Sequence, residues 1–187
     1  MTTRATFTVG VFGLAAKIVD GVIRIKVNVR TDQERQKELA KLPANSTVKI
    51  IDMPGGGVEF EDFSSLKKEG LFSVLSREIK EETGGCIIIQ TSAFFCGPYL
   101  AAVNGEDPTK PVGDIAFWMP IKLIGEPKPT NEASEHPWMS RAQFNAEAPY
   151  RCVSGLGKLG RTGQMICAAF EHYELHSRKP DCLSVFS

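Results

Sequence analysis

The clearest hydrophobic pattern in the chain is a strict alternation near the N-terminus. Over residues 23–30, apolar and polar positions alternate, which is the period of a strand with one buried face. The apolar positions are Ile23, Ile25, Val27 and Val29. Asp20-Gly21, directly before this segment, is a strong signal for a tight turn between two antiparallel strands. We therefore expect a hairpin in which residues 7–19 form the partner strand.

Further along the chain, the apolar spacing predicts both strands and helices. Apolar runs predict strands over residues 48–51, 87–95 and 115–124, and helical spacing predicts helices over residues 71–83 and 162–176. Residues 31–42 are charged and permit a helix, whereas residues 126–137 form a proline-rich loop before Trp138. The chain has 187 residues and nothing in it resembles an interdomain linker, so we expect one domain over residues 1–187.

The predicted helix over residues 71–83 carries an unusual cluster of acidic residues. Glu78, Glu81 and Glu82 stand at i, i+3 and i+4, which places their carboxylates on one helix face. Their repulsion costs free energy unless a cation neutralises it, and oxygen ligands of this kind suit Mg²⁺ or Mn²⁺. They also lie near the helix C-terminus, where the macrodipole disfavours negative charge. The ordinary alternative is a solvated face with an Arg77–Glu81 pair.

Two glycines end this helix. Gly84 is placed to take the left-handed conformation of a C-terminal cap, and Gly85 follows it. The apolar run over residues 86–89 then predicts a buried strand. The acidic face is therefore expected on a short helix that is held against the core.

These residues resemble the Nudix box. The stretch Arg77-Glu78-Ile79-Lys80-Glu81-Glu82-Thr83-Gly84 matches its second half, Glu69 lies the required eight positions before Arg77, and Pro54-Gly55-Gly56 resembles its opening. The spacing departs from the family, because Gly56 is followed by twelve residues before Glu69 instead of five. We place the extra seven residues in an expanded loop over residues 60–68, within a box that spans about residues 56–85. Gly85 also stands where the family has an apolar residue.

The resemblance implies an α/β fold, a Nudix-like α/β/α sandwich with a mixed β-sheet and a loop-helix-loop catalytic motif. It also implies a hydrolase that uses divalent metal to activate water against a diphosphate. Carried over to this sequence, Glu78 and Glu82 are expected to be primary metal ligands, and Glu81 a further ligand or a carboxylate that orients water. The backbone carbonyl of Gly56 is expected to add another ligand.

Other positions have supporting or substrate-binding roles in this hypothesis. Glu69 and Arg77 are expected to pair across the loop and Gly84 to close the motif. Arg30 ends the second early strand, where family members often contact substrate, although a plain edge charge is equally consistent with the sequence. The remaining candidates are Phe60 in the expanded loop and Glu135 before Trp138, with Glu132 as the second choice for the loop acid. A loop glutamate is more often simply solvated.

Composition narrows the classes of partner. Lysine plus arginine equals aspartate plus glutamate, at 22 each, so nucleic acid is an unlikely partner and a small nucleotide-type substrate is the better expectation. The five cysteines are widely separated and without CxxC spacing, which predicts reduced thiols in the cytoplasm. No apolar run approaches the roughly 20 residues of a membrane span.

Three functional hypotheses follow. The first is a Mg²⁺- or Mn²⁺-dependent pyrophosphohydrolase that cleaves a nucleoside diphosphate derivative, with ADP-ribose or a nucleotide sugar favoured. The second is a Nudix-fold binding or regulatory module without catalysis, which the expanded loop favours. The third is diphosphate isomerisation, for which Cys96 could supply part of an acid–base pair. Phe60 and Phe63 could cover the substrate or contact a partner in a homodimer.

Overall fold

The computed structural model describes residues 6–31, 40, 47–58, 70–91, 96–103, 112–146, 149–152 and 161–177. Its strands are β1 (Thr6–Leu14), β2 (Ala16–Val19), β3 (Val22–Lys26), β4 (Asn28–Arg30), β5 (Lys49–Asp52), β6 (Gly55–Gly57), β7 (Ile87–Gln90), β8 (Cys96–Val103), β9 (Val112–Ile124), β10 (Ala133–Glu135), β11 (Trp138–Ser140) and β12 (Tyr150–Cys152). Its helices are α1 (Leu71–Glu82), α2 (Arg141–Ala146) and α3 (Arg161–Ser177).

A mixed sheet lies at the centre of the structure. Its strand order is β6-β1-β9-β7, and β8 also pairs with β9. β1 and β9 are parallel from Thr6 opposite Val112 to Leu14 opposite Pro120, whereas β6, β7 and β8 are antiparallel to their partners. The expected α/β architecture with a mixed sheet is therefore confirmed.

The N-terminal alternation forms a hairpin, but a shorter one than expected. Asp20 and Gly21 have φ angles of 53° and 74°, and the strands on either side, β2 and β3, are antiparallel. Positive φ at both central residues is the requirement of a type I′ turn. The prediction that residues 7–19 form one partner strand is wrong, because residues 6–14 belong to the central sheet as β1. Residues 6–14 pair with β9, whereas residues 16–19 pair with β3 in the hairpin. The segment therefore forms two strands, β1 and β2, instead of one.

The two faces of the central sheet pack against different helices. Val11 and Met119 belong to one hydrophobic cluster with Leu75 and Ile79 of α1. A second cluster, on the other face, contains Phe12, Leu14, Trp118, Met139, Met165, Phe170 and Tyr173, the last three from α3. Adjacent residues of one strand point to opposite faces. This alternation puts α1 on one side and α3 on the other, as the sandwich prediction requires.

Two smaller sheets complete the second core. One has the order β10-β4-β5-β12 and the other β11-β3-β2. The expected loop over residues 126–137 contains β10, which pairs with β4, so the prediction of an irregular loop is wrong for residues 133–135. Of the strand expected over residues 87–95, the structure describes β7 and Thr91. Most of the segment over residues 31–42 lies outside the described residues.

Two other expectations concern the cysteines and the membrane. In the described part of the chain, Cys86, Cys96, Cys152 and Cys167 are not joined by disulfide bonds. Among the described helices, none has the length and the apolar character needed to cross a membrane.

Candidate active site

The C-terminal end of α1 is held by a glycine cap. Gly84 has φ of 66°, the left-handed conformation expected from the sequence. The amides of Gly84 and Gly85 donate to the carbonyls of Glu81 and Lys80 at 3.4 and 2.7 Å, which is the double closure of a Schellman motif. The Thr130 hydroxyl adds a hydrogen bond to the carbonyl of Glu82 at 3.2 Å. The last turn, which carries two of the three glutamates, is thus fixed in position.

Glu82 is the most enclosed of the helix glutamates. Only 7% of its surface is exposed, and its Oε2 accepts hydrogen bonds from the backbone amide of Gly55 at 2.7 Å and from the Asn28 side-chain amide at 3.1 Å. Gly55 belongs to the glycine segment β6, and Asn28 begins β4. Glu82 therefore joins α1 to two strands that are distant from it in sequence.

The electrostatic surroundings of Glu82 disfavour its ionised form. Burial raises the pKa of this carboxyl well above its ordinary value, and the charges of Asp52 and Glu132 raise it further. The hydrogen bond from Gly55 and the charge of Arg30 oppose the shift. A cation at this place would stabilise the carboxylate and reverse the effect of burial. The acidic donors therefore fit a hard divalent cation.

Glu78 lies against the backbone of the glycine segment. A Cβ atom on Gly56 would overlap the Glu78 carboxylate, so only glycine permits this approach. Gly55, with φ of 135°, is also restricted, because a Cβ there would overlap the carbonyl of Val11. The other oxygen of Glu78 forms an ion pair with Arg77 at 2.7 Å. The glycines that open the motif are thus needed for the close contact between loop and helix.

Glu78 and Glu82 line the same cavity, which we call the carboxylate cleft and which has a volume of about 320 Å³. Its charged lining residues are Arg30, Asp52, Glu78, Glu82, Glu132 and Arg161, and its glycine backbone is that of residues 55–57. Four carboxyl groups and two guanidinium groups thus face one space. The excess of acid favours a bound cation, and the guanidinium groups favour anionic oxygens such as those of phosphate.

Both arginines of the cleft are set by neighbouring groups. Arg30 forms an ion pair with Asp52 at 2.9 Å, and the other oxygen of that carboxylate accepts hydrogen bonds from the Met53 amide and the Thr162 hydroxyl. Arg161 begins α3, and its guanidinium lies 5.2 Å from the centre of the Phe12 ring. A second cation thus enters the cleft from α3, a helix in which the sequence analysis named no site residue.

Glu81 lies outside the carboxylate cleft. Its side chain is 63% exposed, and its carboxylate is 3.5 Å from the guanidinium of Arg77. It lines a different cavity, on the side of α1 that carries Ser73 and Lys80. Across the described residues, no group of three or more His, Cys, Asp or Glu side chains is arranged as a metal site. The helix alone thus brings two glutamates, rather than three, towards the glycine segment.

The loop before Trp138 presents its two acids differently. Glu135 is exposed and forms an ion pair with Lys49 at 2.5 Å. Glu132, the second choice from sequence, lines the carboxylate cleft and contributes to the raised pKa of Glu82. Phe60, Glu69 and the expanded loop over residues 60–68 lie outside the described residues.

Asn28 and His136 form a support that sequence reasoning did not identify. The Asn28 side chain donates to Glu82, and its Oδ1 lies 2.8 Å from Nδ1 of His136. The other ring nitrogen of His136 is 3.0 Å from the carbonyl of Lys128, and burial lowers the pKa of the imidazole. In the sequence, Asn28 is one of the polar positions of the alternation over residues 23–30. A polar position of this kind is equally expected on a strand face that contacts only solvent.

Comparison with known proteins gives likeness in structure only. No protein-family model and no curated protein matches the sequence. Among solved structures, the chain is similar to the ORF135 protein of E. coli, with a TM-score of 0.52 and 18% identity over 94% of this chain and 95% of that one. It is also similar to a Nudix hydrolase from Nitrosomonas europaea, with a TM-score of 0.49 and 16% identity over 91% and 90% of the two chains. An Ap4A hydrolase of C. elegans aligns with a TM-score of 0.45 and 15% identity, over 88% and 99%.

At such identities the likeness concerns the fold alone. The first alignment covers nearly the whole of both chains and shows a shared fold. Within that fold, the mixed sheet lies between α1 and α3, and the glycine segment meets the glutamates of α1. The chain therefore has the expected α/β fold, with a mixed sheet between two helices, and shares it with the ORF135 protein.

Proposed function

We propose that the protein is a metal-dependent pyrophosphohydrolase that cleaves the diphosphate linkage of a nucleoside diphosphate derivative, with ADP-ribose or a nucleotide sugar favoured. One observation carries the proposal. Two glutamates of α1 meet the backbone of the glycine segment in a cleft that also contains Arg30 and Arg161. Carboxylates that hold a metal beside cations that hold phosphate are the elements that phosphoanhydride cleavage needs.

Glu78, Glu82 and the backbone carbonyl of Gly56 are the proposed ligands of Mg²⁺ or Mn²⁺. When bound, the metal would supply neutralisation of phosphate oxygens and a water of lowered pKa. Glu82 needs such a cation most, because burial alone favours its protonated form. Glu81 is proposed to act from the rim, as a further ligand or by orienting water, since its exposed side chain is free of the packing that holds Glu82.

The arginines are proposed to bind the two phosphates of the substrate. Arg30 is held by Asp52, which leaves the guanidinium in a defined orientation at the edge of the cleft. Arg161 approaches from α3. Two guanidinium groups match a diphosphate in charge, and a rigid planar donor suits phosphate better than a flexible ammonium does. This match supports a nucleoside diphosphate derivative as the substrate class.

The test is product formation with Mg²⁺ or Mn²⁺ against ADP-ribose, nucleotide sugars, nucleoside triphosphates and dinucleoside polyphosphates. We expect metal-dependent cleavage of a diphosphate-linked substrate by the wild type and its loss in Glu82→Gln. The matched control is Glu171→Gln, which removes an exposed glutamate of α3 that does not line the cleft. Cleavage by Glu82→Gln at the wild-type rate would contradict the assignment of Glu82.

A binding module without catalysis is the second candidate, and one observation favours it. Glu82 already accepts hydrogen bonds from Gly55 and Asn28, so its burial is partly compensated without a metal. In that case no member of the panel would be cleaved, while ADP-ribose or another nucleotide would bind with equal affinity with and without Mn²⁺, as calorimetry would show.

Isomerisation receives no support from the site. Cys96 packs against the core that contains α3, and burial raises the pKa of its thiol. A raised pKa disfavours the reactive thiolate. Among the described residues that line the carboxylate cleft, Cys96 is absent. The homodimer, the cytoplasmic location and the single-domain organisation stay predictions.

A further inference from the structure

A second cavity lies beside β11 and has a cationic lining. It has a volume of about 290 Å³, and its charged lining residues are Lys17, Lys26, Lys122 and Glu126. Trp138 also lines it, and we call this cavity the lysine pocket. Three lysines and one glutamate leave an excess of two positive charges. None of its lining residues is shared with the carboxylate cleft.

Lys26 is the enclosed member of this group. Only 7% of its surface is exposed, although it lies on the polar side of the alternating N-terminal strand. In the described part of the chain, its ammonium has no hydrogen bond or ion pair. Its contact there is the ring of Trp138, whose centre lies 4.8 Å from Nζ. The ring holds the ammonium at the wall of the pocket and leaves its N–H donors available to a ligand or to solvent.

A second ammonium shares the same ring. Nζ of Lys17 lies 4.4 Å from the centre of the Trp138 ring. One cation over one aromatic ring is a common structural contact, but two lysines on a single ring repel each other. Burial is the main cause that lowers the pKa of Lys26; Glu126, an exposed residue of the lining, opposes the shift, and Lys17 adds to it. The arrangement thus places unfavourable positive charge around a space that a small anion would fit.

We propose that the lysine pocket binds the phosphate group of a small molecule. A phosphate offers several acceptor oxygens and up to two negative charges, which matches three lysines better than a single carboxylate would. The volume admits the phosphate together with a short ester group. Trp138 forms one wall, and the backbone pairing of Trp138 with Lys26 holds wall and ammonium together.

The proposal does not depend on hydrolysis, so binding can be measured without the reaction. Inorganic phosphate and glycerol 3-phosphate are the two probes, and EDTA removes divalent metal so that the carboxylate cleft keeps its negative charge. Tryptophan fluorescence of the full chain reports the pocket directly. The chain has two tryptophans, and Trp118 is buried in the core, which leaves Trp138 as the one that lines the pocket. Calorimetry gives the affinity independently.

We expect saturable binding of at least one probe, weakened about tenfold in Lys26→Met and in Lys17→Met, because each change removes a charge-assisted hydrogen bond. Lys17→Met is the safer variant for folding, since Lys17 is half-buried. The matched control is Lys80→Met, which removes an exposed lysine of α1 outside the pocket. If only glycerol 3-phosphate binds, the ligand of the pocket is a phosphate monoester. If inorganic phosphate binds as well, the phosphate group alone is sufficient for binding.

Two results would overturn the proposal. One is the absence of saturable binding of either probe to the wild type at millimolar concentration. The other is equal affinity in wild type, Lys17→Met and Lys80→Met, since binding would then take place elsewhere. Neither result would contradict the proposed hydrolase activity, because that activity is tested separately, by product formation in the wild type and Glu82→Gln.

Discussion

The carboxylate cleft and the lysine pocket each enclose a charged group, but the two groups have different partners. Glu82 is buried with two hydrogen-bond donors on one oxygen, from Gly55 and Asn28. Lys26 is buried against an aromatic ring. Hydrogen bonds fix both the direction and the distance of a carboxylate, whereas contact with a π face leaves the donors of an ammonium unused. The carboxylate of Glu82 is therefore held in a fixed orientation, whereas the ammonium of Lys26 keeps its donors available to the proposed phosphate.

The two regions are connected through the backbone. Lys26 ends β3 and Asn28, two residues further along the chain, begins β4. Across from them, His136 contacts Asn28, and Trp138 contacts Lys26. The segment of residues 26–28 and the segment of residues 136–138 therefore contribute to both regions. Each variant below changes a residue of one region and leaves the other region intact.

The largest expected effect comes from the glutamates of the cleft. Glu82→Gln and Glu78→Gln should each lower kcat/KM by about a thousandfold, because metal-assisted charge neutralisation contributes several kcal/mol. Glu81→Gln should lower it by only about tenfold, since this side chain lies outside the cleft. Steady-state measurement of kcat/KM with Mn²⁺ ranks the three variants by their loss of activity. An equal loss in all three variants would mean that Glu81 turns into the cleft when metal binds.

Asn28→Ala should have the next largest effect. It removes the amide between Glu82 and His136, so we expect a ten- to hundredfold loss in Mn²⁺ affinity, roughly as for other groups that orient metal ligands. The free energy of unfolding should also fall by about 1–3 kcal/mol, because a buried carboxyl loses a donor. Calorimetry and chemical denaturation measure the two effects. Asn145→Ala, at an exposed residue of α2, is the matched control.

The pH dependence of stability should have opposite signs in the two regions. The pKa of Glu82 is raised above 4.5, so the folded protein binds more protons than the unfolded one, and this contribution to the unfolding free energy falls as the pH rises above 4.5. The pKa of Lys26 is lowered below 10.5, so its contribution rises as the pH rises towards 10.5.

Denaturation in EDTA at several pH values, for wild type, Glu82→Gln and Lys26→Met, isolates each contribution as a difference. The difference between wild type and Glu82→Gln should fall as the pH rises above 4.5, and the difference between wild type and Lys26→Met should rise as the pH approaches 10.5. Flat differences would show that neither group is desolvated in solution.

The smallest expected effect separates the two loop acids. Glu135→Gln breaks an exposed ion pair with Lys49, and such pairs contribute about 0–1 kcal/mol to stability. Glu132→Gln removes a carboxyl from the cleft itself, so it should change Mn²⁺ affinity more than Glu135→Gln does. Metal titration of the two variants side by side provides the measurement. A larger loss of Mn²⁺ affinity in Glu135→Gln than in Glu132→Gln would instead support Glu135 as the loop acid of the site, as first expected from the sequence.

Local features were predictable because their causes lie within a few residues. The helix α1, its glycine cap and the Asp20-Gly21 turn follow from side-chain spacing and from residues that tolerate positive φ. Helix α3 also lies within one residue of the expected range at each end. The residues that complete the site were not predictable in this way. Asn28 is 54 positions from Glu82, and Asp52 is 110 from Thr162.

By itself, the sequence determined the acidic face of α1, the glycines before it and the resemblance to the Nudix box. Only the tertiary structure decided which carboxylates share the cleft, because Gly55 and Gly56 approach Glu82 and Glu78 but leave Glu81 exposed. The tertiary structure also decided that Lys26 is buried, through the pairing of β3 with β11. The physical reason is common to both. Spacing along the chain defines the face of an element, whereas burial of that face depends on which distant segments pack against it.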